Sequence, residues 1–205
     1  MGITKEEQEA LEVFIKETLE EISIDLEDIE NDYAKFKNMP ITQPPWHFMM
    51  NILWLEAMGT KVYGRAYEVE DAIIDILGSS WFWKIFWKIF TPQPYKPYVA
   101  ELIKTGKALT KAMDYCDELE EREKQALEEW KKKGNELERP MAWAKAIKDE
   151  WKYLKKHPES ASLPMILAAR TALQNYTTGE CPGPVKELLD YREANGRRVE
   201  RSAWM

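Results

Sequence analysis

Apolar residues recur through the N-terminal stretch at alternating steps of four and three: Ile15, Leu19, Ile22, Leu26, Ile29, Tyr33 and Phe36. Such steps place every apolar side chain on one stripe of an α-helix. Thr4 and Glu7 have the spacing of a capping box, in which each side chain satisfies the other residue's backbone amide. Asn38, Met39 and Pro40 close the segment, so the pattern predicts one helix over residues 5–38. Its length is about 50 Å at the usual helical rise, and a helix this long needs cover from end to end. One stripe serves equally for supercoiling with a second copy and for packing on later helices.

Pro44 and Pro45 stand where a new helix begins, followed by Trp46, Phe48, Met49, Met50, Ile52, Leu53, Trp54 and Leu55. That run is apolar nearly all round and predicts a central helix. Gly59 and Thr60 predict a break, after which Val62, Ala66, Val69, Ile73, Ile76 and Leu77 define another helix that stops at Gly78. Next comes Trp81 to Phe90, in which Phe-Trp-Lys-Ile is written twice, with Ser79 or Ser80 as cap and Thr91-Pro92 as end. Prolines at 92, 94 and 97 predict an extended, stiff connector. This Pro-rich hinge over 91–97 separates an N-terminal helical part, 1–90, from a C-terminal helical part, 98–205, of one compact domain. Tyr98 to Lys133 is helical, apolar at first (Val99, Leu102, Ile103, Leu109, Met113) and densely charged from Glu118 onward, where it is expected to stand in solvent. Met141 to Lys156, Leu163 to Tyr176 and Pro184 to Asn195 complete the set. Nothing alternates with period two, so the fold class is an all-α bundle of seven or eight helices without a sheet.

The aromatic repeat is the richest source of binding energy in the chain. On a helical wheel Lys84 and Lys88 share one narrow face, while Phe82, Trp83, Ile85, Phe86, Ile89 and Phe90 occupy most of the rest. Three kinds of cover suit it. Protein, either the chain's own core or a partner, is the usual fate of an aromatic stripe. A membrane surface is a second, making peripheral membrane contact an alternative; ten helical residues span only about 15 Å and cannot cross a bilayer. Nucleic acid is a third, with Lys84, Lys88, Lys96, Lys104, Lys107 and Lys111 interleaved with Trp83, Trp87, Tyr95 and Tyr98 as a stacking platform. Against the last stand the absence of Arg between positions 66 and 121 and the overall acidity. The expected binding residues are therefore Trp81, Trp83, Phe86, Trp87 and Phe90, with Tyr95 and Tyr98 as neighbours, acting on a protein partner or on a second copy.

Charge sharpens this picture. The 205-residue chain carries a net charge of −7, with 32% charged and 44% apolar residues. Its distribution is uneven: residues 1–39 hold four Lys and Arg against twelve Asp and Glu, whereas residues 81–113 hold six against one. An acidic end and a basic aromatic middle suit self-association into a homo-oligomer. No run of about 18 uncharged apolar residues offers a membrane span, and the opening Met-Gly-Ile-Thr-Lys-Glu-Glu lacks the regions of a secretory signal. The expected location is cytoplasmic. Cys116 and Cys181 fit a reducing compartment.

Chemistry-bearing motifs are sparse. There is no Gly-rich phosphate loop, nucleophile elbow or H-E-x-x-H, and two His with two Cys give no zinc spacing, so no cofactor is expected. His47 reads as a core histidine, and Arg197, Arg198, Arg201 and Trp204 as a loosely docked tail. Glu17, Glu20 and Glu21 followed by Glu68 and Asp71 resemble the E-x-x-E and E-x-x-D pairs of the all-α nucleoside triphosphate pyrophosphohydrolases, the MazG-like and dimeric dUTPase group. The resemblance implies a magnesium-dependent hydrolase in which Glu17, Glu20, Glu68 and Asp71 hold the metal. These carboxylates point away from the apolar seams, which favours a solvated surface. The reading that results is a non-catalytic interaction protein, whether assembly, adaptor or regulatory, with the hydrolase and the membrane-surface or nucleic-acid-binding accessory protein as alternatives.

Overall fold

The computed structural model describes residues 3–78, 88–133, 137–177 and 179–204. Over them the chain is all-α. Six helices follow in order: α1 (Lys5–Lys37), α2 (Pro45–Leu77), α3 (Lys96–Lys132), α4 (Glu138–Lys156), α5 (Leu163–Gln174) and α6 (Gly183–Ala194). Single 3-10 turns form at Gln93–Tyr95 and Arg201–Ala203, residues 88–90 are helical, and no strand occurs among the described residues. The body of the aromatic repeat and its Ser caps lie outside the described residues.

The predicted capping box is formed: the Glu7 amide donates to Thr4 Oγ1 at 3.2 Å and the Thr4 amide to Glu7 Oε2 at 2.7 Å. The Thr4 amide, and after it the hydroxyl, hold the Glu7 carboxyl below the ordinary carboxylate range. Along each long helix a buried position returns every seven residues. Ile15, Ile22 and Ile29 do so in α1; Leu55, Val62 and Val69 in α2; Thr105, Ala112, Leu119 and Ala126 in α3. Seven residues per two turns is the period of helices that supercoil left-handedly with knobs in holes.

Contacts gather into two compact units, one of Met1–Lys35 and Leu55–Tyr115, the other of Phe36–Trp54 and Cys116–Met205. In the first, Ile15 of α1 is buried with Val69, Ala72, Ile73 and Val99, and Leu11, Leu19, Tyr98 and Leu102 pack against them. The α1 seam is thus covered by the chain's own helices. Asp25 interrupts that seam at 6% exposure and is held by Lys61 at 2.8 Å and Arg65 at 3.0 Å. Tyr33 stacks on Tyr115 with ring centroids 3.5 Å apart.

The second unit closes around Trp46, Phe48, Met50, Ile52, Leu53, Trp143, Ile147, Ile166, Leu173 and Leu188. Trp46 meets Trp130 edge-on at 5.5 Å, and Trp143 meets Tyr176 at 5.2 Å. Glu150, fully buried on α4, lies 3.0 Å from Arg192 and 2.8 Å from Arg197. The Arg197 guanidinium also covers the rings of Tyr153 and Tyr191, at 4.4 and 4.9 Å.

Three local expectations are corrected. No break occurs at Gly59–Thr60: the Thr60 hydroxyl bonds to the Glu56 carbonyl at 2.8 Å, and Leu55, Met58 and Val62 are buried on either side. Burying those side chains outweighs the roughly 1 kcal/mol that a helical glycine costs. The prolines at 92, 94 and 97 do not keep their segment extended, since Gln93–Tyr95 forms a 3-10 turn and Pro97 sits in the first turn of α3, where a missing N–H is harmless. The long central helix α3 is partly solvent-exposed, as expected, with Leu119 and Ala126 buried in its charged half. The C-terminal segment is docked, with the Trp143 indole donating to the Ala203 carbonyl at 2.7 Å and Ala203 buried.

Candidate interaction surface

Two exposed tyrosines frame a groove of the first unit. Tyr63 and Tyr67 stand one turn apart on α2, off the Val62–Val69–Ile73 seam, and are 65% and 57% exposed. Facing them on α3 are Leu102, Ile103, Gly106, Lys107, Leu109 and Thr110, and Glu70 and Lys88 join the rim; the groove has a volume of about 410 Å³. Ile103 is itself 46% exposed. Gly106 lines this groove, and a Cβ built on it meets no atom within 4 Å.

Of the aromatic residues singled out by sequence, Trp81, Trp83, Phe86 and Trp87 lie outside the described residues. Phe90, at the end of the repeat, is 54% exposed beside Ile89 at 72%. Tyr98 is half-buried and packs on the Ile15–Val69–Val99 cluster. Tyr95 is not at the surface: its hydroxyl accepts from Gln8 Nε2 at 2.7 Å and donates to Glu12 Oε1 at 2.9 Å, which ties the 3-10 turn to α1. Burial, followed by the Glu12 carboxylate, pushes the Tyr95 phenol up.

The α3 side of the groove is basic, whereas α2 contributes Glu70. Among the described residues of 88–113, Lys88, Lys96, Lys104, Lys107 and Lys111 face a single acid, Glu101. Part of this charge is met inside the unit, by Glu30 at 2.9 Å from Lys111 and by Glu101 at 3.4 Å from Lys104. Opposite in character is the outward stripe of α1, where Val13, Glu17, Glu20 and Ile24 follow at steps of four, three and four. Val13 and Ile24 are 56% and 61% exposed.

Glu17, Glu20, Glu68 and Asp71 are all exposed, as their positions off the seams predict, and Glu21 pairs with Arg65 at 2.8 Å. Among the described residues no group of three or more His, Cys, Asp or Glu is placed to hold a metal ion. The described helices include none long and apolar enough to cross a membrane. Cys116 and Cys181 are not joined in a disulfide.

Tyr63, Tyr67, Ile103 and Gly106 were not among the residues expected to bind. The signal for the tyrosines was available: two aromatic residues at i and i+4 on the face opposite a well-defined apolar seam. The groove itself depends on α3 lying beside α2 in this unit, which no single-helix pattern reveals.

No protein-family model matches the chain, and neither a curated protein nor a solved structure matches it.

Proposed function

We propose that the chain works by binding rather than catalysis, as an interaction protein that docks onto a protein partner or a second copy through the exposed apolar surface of its first unit. The observation that carries this reading is the exposure of Ile89, Phe90, Tyr63, Tyr67 and Ile103, large side chains left in water by a unit that buries its own seams. Exposed aromatic side chains supply much of the energy of protein interfaces when a partner desolvates them. The aromatic repeat that ends at Phe90 continues the same chemistry along the sequence.

Light scattering coupled to size-exclusion chromatography, run across a concentration series, tests the reading. The expected mass exceeds the 24.1 kDa of one chain and returns toward it in Ile89→Asp and Phe90→Asp variants. A partner protein would be recovered by crosslinking, with a yield that falls in the same two variants. A monomer at every concentration, together with crosslinking indifferent to both substitutions, sinks the reading.

A further inference from the structure

We infer that the outward face of α5, in the second unit, is a self-association surface on which the same face of a second copy packs across a two-fold axis. The inference goes beyond the reading above, which sets docking on the first unit, and either can fail alone.

Helix α5 turns the ordinary pattern inside out. A helix at the surface of a globular protein keeps its charges in water and its apolar stripe on the core. The one charged residue of Leu163–Gln174 is Arg170, which is half-buried, donates from Nε to the Met50 carbonyl at 2.9 Å and covers the Trp54 ring at 4.8 Å. The residues left in water are Leu163, Pro164, Leu167, Ala168 and Thr171, with the two leucines 43% and 37% exposed. Even the Thr171 hydroxyl is bonded within the helix, to the Leu167 carbonyl at 3.0 Å. Ile166, Ala169 and Leu173, all fully buried, already anchor α5 to its own core, so the outward face is surplus to the fold of the unit. Each of the other five helices exposes at least one Asp, Glu, Lys or Arg.

The absence of charge and the order of the side chains select the occupant. A charged surface laid on Leu and Ala loses its hydration and gains no partner. Within this chain that disfavours the faces of the other helices and leaves α5 itself. A two-fold axis brings a surface onto its own copy, which for a charged face sets like against like; on this face no charge stands to repel. Shape agrees. Leu163 and Leu167 form one row along the helix, and Pro164 and Ala168 form a second row about 100° round it. With the axis running along the helices, the leucine row of each copy lies over the small row of the other, Leu163 on Pro164 and Leu167 on Ala168 of the second copy. Large side chains set over small ones are what lets facing helices interdigitate.

The test uses the full chain in sedimentation equilibrium. One 12-residue helix from each copy is a small contact beside the about 800 Å² per partner of a standard interface, so the series runs to about 1 mM protein. The wild-type mass is expected to rise toward twice 24.1 kDa. Leu167→Glu and Leu167→Lys each charge the face, and each is expected to weaken association by at least about tenfold, with helical circular dichroism unchanged. Mixed in equal amounts, the two variants regain the dimer, because the two-fold holds both copies of position 167 at one height of the helix pair, where opposite charges attract. Ala168→Glu with Ala168→Lys repeats the design one position on and carries the test if a variant at 167 unfolds. A mass indifferent to these substitutions overturns the contact, as does a monomer at every concentration. Weakening by each variant without recovery on mixing also overturns the two-fold and leaves the face to a different protein. The Ile89 and Phe90 variants report on the first unit: they leave this dimer intact, and their crosslinking decides the earlier reading whatever happens at position 167.

Discussion

Trp46, Trp143 and Trp151 in the second unit are 1%, 1% and 6% exposed, whereas Tyr63, Tyr67 and Phe90 in the first are more than half exposed. Both units are rich in rings, and both are built from helices with regular seams. The difference lies in where the rings fall relative to those seams. In the second unit Trp46, Trp143 and Tyr176 occupy buried faces and close on one another, down to the Trp143 indole that finds the Ala203 carbonyl, and Trp204 alone of its tryptophans is exposed. In the first, the described seams are filled mainly with aliphatic side chains, with Tyr33 buried among them, while Tyr63 and Tyr67 stand off them. A count of nine Trp therefore says little about an interface; the offset between aromatic position and apolar period says more.

Charge separates the units in the same way, and the largest expected effect breaks the contrast there. Glu150 is fully buried between Arg192 and Arg197. Glu150→Ala leaves the Arg192 guanidinium buried without its carboxylate and should destabilise by about 3–5 kcal/mol, read from the denaturant midpoint. In the first unit, Asp25→Ala removes the partner of Lys61 and Arg65, but both cations are partly exposed and rehydrate. The expected loss is about 2 kcal/mol, and equal losses in the two variants would erase the distinction between a sealed and a solvated ion cluster. Smaller still, Tyr63→Ser with Tyr67→Ser should change stability by no more than about 0.5 kcal/mol while weakening association. A large drop in melting temperature would show that these rings support the fold.

The last prediction concerns protons. Burial holds the His47 imidazole below its ordinary range, and its Nε2 is buried without a partner. The unfolded chain therefore takes up a proton first as pH falls through about 6.5. This contribution to stability is present above that pH and is lost as pH drops toward the depressed folded value. His47→Gln should flatten the corresponding part of a stability profile measured between neutral and mildly acid pH; an unchanged slope would assign it to other groups.

Much of this architecture was legible before any coordinates. The α1 seam, its Thr4–Glu7 cap and the stop at Gly78 all follow from local rules, because each depends on residues within one or two turns. The misreadings share a cause. Gly59 and the prolines of 91–97 carry local signals that tertiary packing overrides, and on α3 the buried Ala112, Leu119 and Ala126 recur too sparsely to stand out among acids and lysines. Arg197 read as tail because its partner Glu150 is far away in sequence. The groove was hidden for the same reason: Tyr63 and Ile103 come together only when two helices distant in sequence lie side by side.

The limits of both units fall inside α2, after Trp54, and inside α3, after Tyr115. No single cut of the chain can therefore liberate either unit intact. A fragment ending at residue 115 keeps the whole first unit but drags along Trp46, Phe48, Met50, Ile52 and Leu53, stripped of the helices that shelter them. Such a truncation should aggregate on expression, and a workable miniature would have to bridge 35 to 55 with a designed linker instead.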